Sequence, residues 1–285
     1  MPSQSVAASA AQPRPVFKNI LLATDFSDTS QIALRYAIGL ADLYHSKILV
    51  VHVTRGTSAS VETHTSRSMS AYLASADLAR VRYETLMERG EIPPVISGLA
   101  DKHGIDLVIA GTHERKGAAR LLLGSTVEQI FRAVSCPVLT TGPDVDRERP
   151  AKGGMKEIVY ATDFDPGSLH AWPYALSLAE VYGARLTLVH ILSEEIPPYA
   201  QEGTEVSFQE QLRRMLPEGR AISSEAVVRL GLPATGILEI AKERDASLIV
   251  MGVCGQVSWS ATHLPWAVAH QVVCHAHCPV LTVRG

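Results

Sequence analysis

The stretch "ILLATDFS", Ile20 to Ser27, closes a short apolar run with Ala-Thr-Asp-Phe, and the same four residues return at Ala161 to Phe164 behind "EIVY". From 23 to 161 the offset is 138 residues, and it also carries "KILVVHV" (Lys47 to Val53) onto "RLTLVHI" (Arg185 to Ile191), with His52 on His190. Between these blocks Tyr36, Ala37, Leu40 and Ala41 meet Tyr174, Ala175, Leu178 and Ala179, a spacing that marks one buried helical face. Further along, Gly90 matches Gly231 and Gly111 matches Gly252 at an offset of 141, while "CPVLT" at Cys136 matches "CPVLT" at Cys278 at 142. The period exceeds that of solenoid repeats, so each copy is a whole domain.

Bulk composition agrees. A chain of 285 residues with 46% hydrophobic content can bury two ordinary cores. The reading is a disordered tail at 1–15, domains at 16–142 and 155–285, and a linker at 143–154, where "GPDVDRERPAKGG" (Gly142 to Gly154) is rich in Pro, Gly and charge. Lys plus Arg (26) nearly balances Asp plus Glu (29), which leaves no broad positive field for nucleic acid or an anionic membrane. No stretch approaches the roughly 18 apolar residues of a membrane helix. Four cysteines are too few for a disulfide framework in a chain this long, which points to a cytoplasmic setting.

Apolar runs such as "ILLA", "ILVV" and "LVIA" suit strands covered on both faces. The pattern predicts strands at Asn19 to Ala23, Lys47 to Thr54, Val81 to Arg89, Asp106 to Ala110 and Pro137 to Thr141. The second copy predicts them at Glu157 to Ala161, Arg185 to Leu192, Ser223 to Leu230, Ser247 to Gly252 and Pro279 to Val283. Helices between them imply an α/β fold with a parallel sheet and right-handed crossovers.

In such a sheet ligands sit beyond the carboxyl ends of the strands, where the strand order reverses. Asp25 follows the first strand and Gly111 the fourth, so both open onto one crevice if those strands are neighbours. The Asp25 carboxylate could accept hydrogen bonds from a ribose or a base amine; equally, "DFSD" could only cap the next helix. In "GTHERKGAARLLLGSTVE" (Gly111 to Glu128), Ser125 and Glu128 form an S-x-x-E capping box. Gly124 and Ser125 then open a helix whose free N–H groups suit phosphate. Neither G-x-x-x-x-G-K nor G-x-G-x-x-G occurs, which argues against a P-loop enzyme or a dinucleotide dehydrogenase.

These segments, with "LVVHV" and "DLVIAGTHERKGAARLLLGSTVEQIFRAVSCPVL", resemble the universal stress protein family in tandem, from Val16 onward. The resemblance implies two Rossmann-like domains of the adenine nucleotide alpha hydrolase type, each a five-stranded parallel sheet of order 3-2-1-4-5 with helices on both faces. It also implies pairing of two such domains, within the chain or in a homodimer. ATP-binding branches of the family carry G-x2-G-x9-G-[S/T], and here Gly111, Gly124 and Ser125 keep three of the four markers. By resemblance Thr24, Asp25, Val53, Ala110, Gly111, Gly124, Ser125 and Thr126 line an ATP site. Glu114 stands at the missing glycine, where a carboxylate repels triphosphate; Arg115, Lys116 and Arg120 could offset it or form a solvated run.

The second copy keeps Gly252 and Gly255 but faces Gly124 and Ser125 with either Pro265 and Trp266 or Trp266 and Ala267. Neither choice supplies Gly-Ser, so its anion-binding helix start is lost. At the C-terminus "HQVVCHAHC" gathers His270, Cys274, His275, His277 and Cys278, which invites a zinc or copper reading. Cys278 has its counterpart in Cys136, where no histidines crowd it, and the reading adopted is a buried cysteine with solvent-facing histidines and no metal. His52 and His190 read as packed structural residues, and no nucleophile with a base can be assigned. The expectation is a cytoplasmic stress-response protein with ATP in its first half, without catalysis beyond slow hydrolysis at most. The rival is an interaction module that acts through protein partners with an empty crevice.

Overall fold

The computed structural model describes residues 15–54, 59–112, 125–146, 154–192, 198–216, 222–253 and 265–285. The first half runs β1 (Asn19–Ala23), α1 (Asp28–Tyr44), β2 (Lys47–Thr54), α2 (Ala59–Ala74), β3 (Arg82–Arg89), α3 (Ile92–His103), β4 (Leu107–Gly111), α4 (Ser125–Ala133) and β5 (Val138–Thr141). The second runs β6 (Glu157–Ala161), α5 (Pro166–Leu169), α6 (Trp172–Tyr182), β7 (Arg185–Leu192), α7 (Pro198–Met215), β8 (Ser224–Leu230), α8 (Pro233–Glu243), β9 (Leu248–Val253), α9 (Pro265–His275) and β10 (Val280–Arg284). Every predicted strand is present, with ends displaced by at most one residue. One displacement matters: Gly111 is the last residue of β4, not the first of the loop.

Each half has the order 3-2-1-4-5, and the two sheets fuse into one of ten strands, β3-β2-β1-β4-β5-β10-β9-β6-β7-β8. Pairing is parallel within each half, whereas β5 and β10 meet antiparallel, with Leu139 opposite Leu281. Thr140 Oγ1 donates to Val280 O and Thr282 Oγ1 returns the bond to Val138 O. Thr140 and Thr282 are repeat equivalents, so the seam is self-complementary in the manner of a two-fold dimer interface. The paired residues, Val138 to Thr140 and Val280 to Thr282, are apolar or Thr and would make a poor exposed edge, and the pairing covers them in both halves.

The strands form because their side chains are buried on both faces. Ile20, Leu21 and Leu22 expose nothing, and each such burial contributes about 1.5–3 kcal/mol; Leu22→Ala would cost about 2–5 kcal/mol through the cavity left behind. One apolar layer joins α1 and α2 to α6 across the halves, and a second joins α3 and α4 to α8 and α9 on the other face. The chain ends reinforce the union. Phe17 stacks on Tyr174 at 6.1 Å, Ser177 Oγ donates to Pro15 O, and Val145, at the start of the connection between the halves, is buried.

Candidate functional site

The repeated tetrapeptide builds the same turn twice. Thr24 N donates to Val51 O as the chain leaves β1, and Thr162 N donates to Val189 O. Thr24 Oγ1 then accepts Phe26 N at 3.0 Å, and Thr162 Oγ1 accepts Phe164 N at 3.0 Å. These bonds hold Phe26 at φ 65° and Phe164 at φ 66°, a left-handed conformation that costs a bulky residue about 1–3 kcal/mol. Ring contacts offset that cost: Phe26 stacks on His52 at 4.4 Å, and Phe164 lies against His190 and Phe208. His52 Nδ1 and His190 Nδ1 each lie 2.8 Å from the carbonyl of Thr24 and Thr162. A carbonyl only accepts, so both Nδ1 atoms carry the proton. Both histidines are packed and hydrogen-bonded, as their sequence setting suggested.

Asp25 is exposed at the crevice mouth, and its Oδ1 accepts Ser27 N at 3.0 Å and Ser27 Oγ at 2.6 Å. Ser27 in turn caps α1 by accepting Ser30 N. The capping and the ligand readings of Asp25 are therefore compatible, since one carboxylate oxygen supports the cap while the group as a whole lines the cleft. That cleft holds about 180 Å³ between the ends of β1, β2 and β4 and the helices α3 and α4. Thr24, Asp25 and His52 supply its polar wall; Val53, Ile92, Ile96, Val127 and Ile130 supply an apolar one, with Ala110 and Gly111 at the end of β4. The strand ends beside β1 and β4 are adjacent, as the reversal of order requires.

Of the residues expected there, Thr24, Asp25, Val53, Ala110 and Gly111 line this one cleft. Ser125 and Thr126 begin α4, whose Val127 faces it. Gly124, Glu114, Arg115, Lys116 and Arg120 lie outside the described residues, as do the side chains of Ser125, Thr126, Pro265 and Trp266. Gly111 is required by packing, because a Cβ there would sit 2.6 Å from the backbone of Thr29 and Ser30; at Gly252 it would sit 2.1 Å from Gly167 O. Ser125 is the first helical residue of α4, and Glu128 pairs with Arg132 at 2.9 Å.

The second crevice differs at its floor. Ala110 pairs with Ala23 across the sheet, and the equivalent partner of Ala161 is Met251. Met251 is buried in the apolar layer with Ala161, Val189, Ile249 and Val253, a larger side chain at the position equivalent to Ala110. The register of the following helix is also settled. Buried Val127, Ile130, Phe131 and Val134 correspond to buried Ala269, Val272, Val273 and Ala276 at an offset of 142, which sets Trp266 opposite Gly124 and Ala267 opposite Ser125. Sequence reasoning missed Met251, although the offset that aligns Gly111 with Gly252 aligns Ala110 with it. His190 sits in the drier site, and burial lowers its pKa from the ordinary 6.5.

Among the described residues no group of three or more His, Cys, Asp or Glu could hold a metal ion. Cys274 Sγ lies 4.0 Å from His270 Nδ1, and Cys278 is buried. Its counterpart Cys136 is half-buried, and desolvation pushes its thiol up to about 11. No helix of the described residues is long and apolar enough to cross a membrane.

The model of the universal stress protein family matches residues 17–141 and again 154–284. The chain belongs to the universal stress protein family. A curated universal stress protein of Thermus aquaticus is 34% identical over 141 residues, which cover 46% of this chain and 99% of that one. A universal stress protein structure from Archaeoglobus fulgidus superposes with TM-score 0.67 at 20% identity, covering 93% of this chain and 98% of that one. A Pseudomonas aeruginosa protein described as functionally unknown superposes at 0.68 and 17% identity, covering 94% and 92%. At such identities the structural likeness shows the fold alone, which is that of tandem universal stress proteins.

Proposed function

We propose that this universal stress protein is a cytoplasmic stress-response module that binds an adenine nucleotide, ATP by preference, in its first half only. The observation that carries this reading is the substitution at the crevice floor: Ala110 floors the first cleft, and the larger Met251 stands at the equivalent position of the second copy. The apolar wall of Val53, Ile96, Val127 and Ile130 suits the faces of a purine. Asp25 at the mouth suits ribose hydroxyls, and the start of α4 suits phosphate. Thr24, Asp25, Val53, Ala110, Gly111, Gly124, Ser125 and Thr126 are the proposed contacts. The nucleotide acts as a regulatory ligand or is hydrolysed slowly.

A second reading has its own support. The Thr24 hydroxyl is spent in the turn and Gly111 is demanded by α1, so both would stand here without a ligand; the chain would then act through protein partners alone. Denaturing the purified protein and analysing what it releases separates the two, together with a thermal-shift titration. Bound ATP at a hundredfold excess over its dissociation constant stabilises by about 2.7 kcal/mol. No released nucleotide and no shift at millimolar ATP would leave the interaction module standing.

A further inference from the structure

The ten-stranded sheet has two outer edges, and they differ. At β8 the charged side chains are engaged within the chain: Arg229 binds Glu243 through two bonds of 2.9 and 2.7 Å, and Glu225 binds Arg244 at 2.6 Å. At β3 Glu84 pairs with Lys47 at 2.7 Å and Arg82 donates to His45 O at 2.9 Å, but most side chains are exposed, including two large apolar ones, Tyr83 (42%) and Met87 (49%). Both lie on the face that carries α2, since Tyr83 pairs with Ile48, Met87 pairs with His52, and Ser66 on α2 donates to the Met87 sulfur.

Backbone direction limits what can add to this edge. Gly90 N donates to Thr54 O, so the even-numbered residues of β3 point their N–H and C=O groups at β2. The groups of Tyr83, Thr85, Met87 and Arg89 therefore point outward. A second β3 running antiparallel must bond through these residues. The register centred on Thr85 does so, setting Tyr83 against Met87, Met87 against Tyr83, and Thr85 against itself. The same register sets Arg82 against Glu88 twice. Centred on Leu86, the pairing would oppose Glu84 to Glu88, and pairings that oppose Arg82 to Arg89 mismatch the outward groups. Only the first register covers the exposed apolar pair and matches charge.

We propose that two copies of this chain associate through β3, antiparallel about a two-fold axis at Thr85, which extends both sheets into one. This surface lies at the opposite end of the half from the β5–β10 seam, and the proposal does not depend on nucleotide binding. Analytical ultracentrifugation of the full chain over a dilution series should show a monomer–dimer equilibrium. Thr85→Pro removes an outward N–H without touching the bonds to β2; it should leave a monomer that melts with the wild type when the latter is diluted to its monomeric range. Glu88→Arg makes both cross-strand pairs repulsive and should weaken the dimer about tenfold, and adding Arg82→Glu should restore it. This exchange tests the pairing even if the proline variant fails to fold. A chain that is monomeric at every concentration overturns the proposal, as does a dimer indifferent to these changes. Open-ended growth, which would mean β3 against β8 of the next copy, overturns it equally.

Discussion

The two halves share a turn and a strand order, yet their crevices have different floors. What they share is what the sheet needs: a left-handed Phe braced by a His, a Thr that bonds the turn, and a Gly against which α1 or α5 packs. They differ on the floor, at Ala110 and Met251, and in sequence where α4 and α9 begin, with Trp266 and Ala267 in place of Gly124 and Ser125. A repeated motif therefore reports a repeated scaffold, and the site above it is set by residues the motif does not contain.

The strongest challenge to the shared scaffold is Gly252→Ala, whose Cβ would lie 2.1 Å from Gly167 O. Urea unfolding should show a loss of at least about 3 kcal/mol, more than for Gly111→Ala, where the clash is 2.6 Å. Equal or negligible losses would mean that these glycines are not held by the helix starts. Met251→Ala should cost about 2–4 kcal/mol without creating a nucleotide site, because the second copy's sequence still lacks the Gly-Ser of Gly124 and Ser125. Nucleotide captured by this variant, measured by calorimetry, would show that Met251 alone closes the second crevice.

Ala110→Met transplants the second floor into the first half. It should abolish ATP binding while changing stability by less than about 1.5 kcal/mol, because the cleft has room for the side chain; retained affinity would place the ligand elsewhere. The smallest effect concerns pH. His190 has a folded pKa below its unfolded 6.5, so on acidification the unfolded chain takes up the proton first. Its contribution to stability is full above pH 6.5 and drains away as pH falls from 6.5 through the lower folded value. His190→Gln should flatten the dependence of melting temperature on pH in that window, and an unchanged slope would assign it to other groups.

Much of this was legible in the sequence. The doubled "ILLATDFS" pattern, apolar runs of strand length and a constant offset located every strand to within a residue, because buried parallel strands have few ways to be encoded. The convergence of Asp25 and Gly111 also followed, since strand order alone brings the ends of β1 and β4 together. The role of Gly111 did not follow. A glycine beside a crevice reads as room for a ligand, and only the position of Thr29 and Ser30 shows that another backbone fills that room. Ala110 and Met251 were equally visible in the alignment, but side-chain volume has meaning only once the direction of the side chain is known.

By itself the sequence determined two copies of one α/β unit and the family to which they belong, because hydrophobic period and repeat offset are properties of the chain alone. Tertiary structure decided that the copies share one sheet through Thr140 and Thr282, that Gly111 serves packing, and that Ala110 floors a cleft at the strand ends of the first copy. Those outcomes depend on distances between atoms far apart in sequence, where a few ångströms separate a cavity from a filled core.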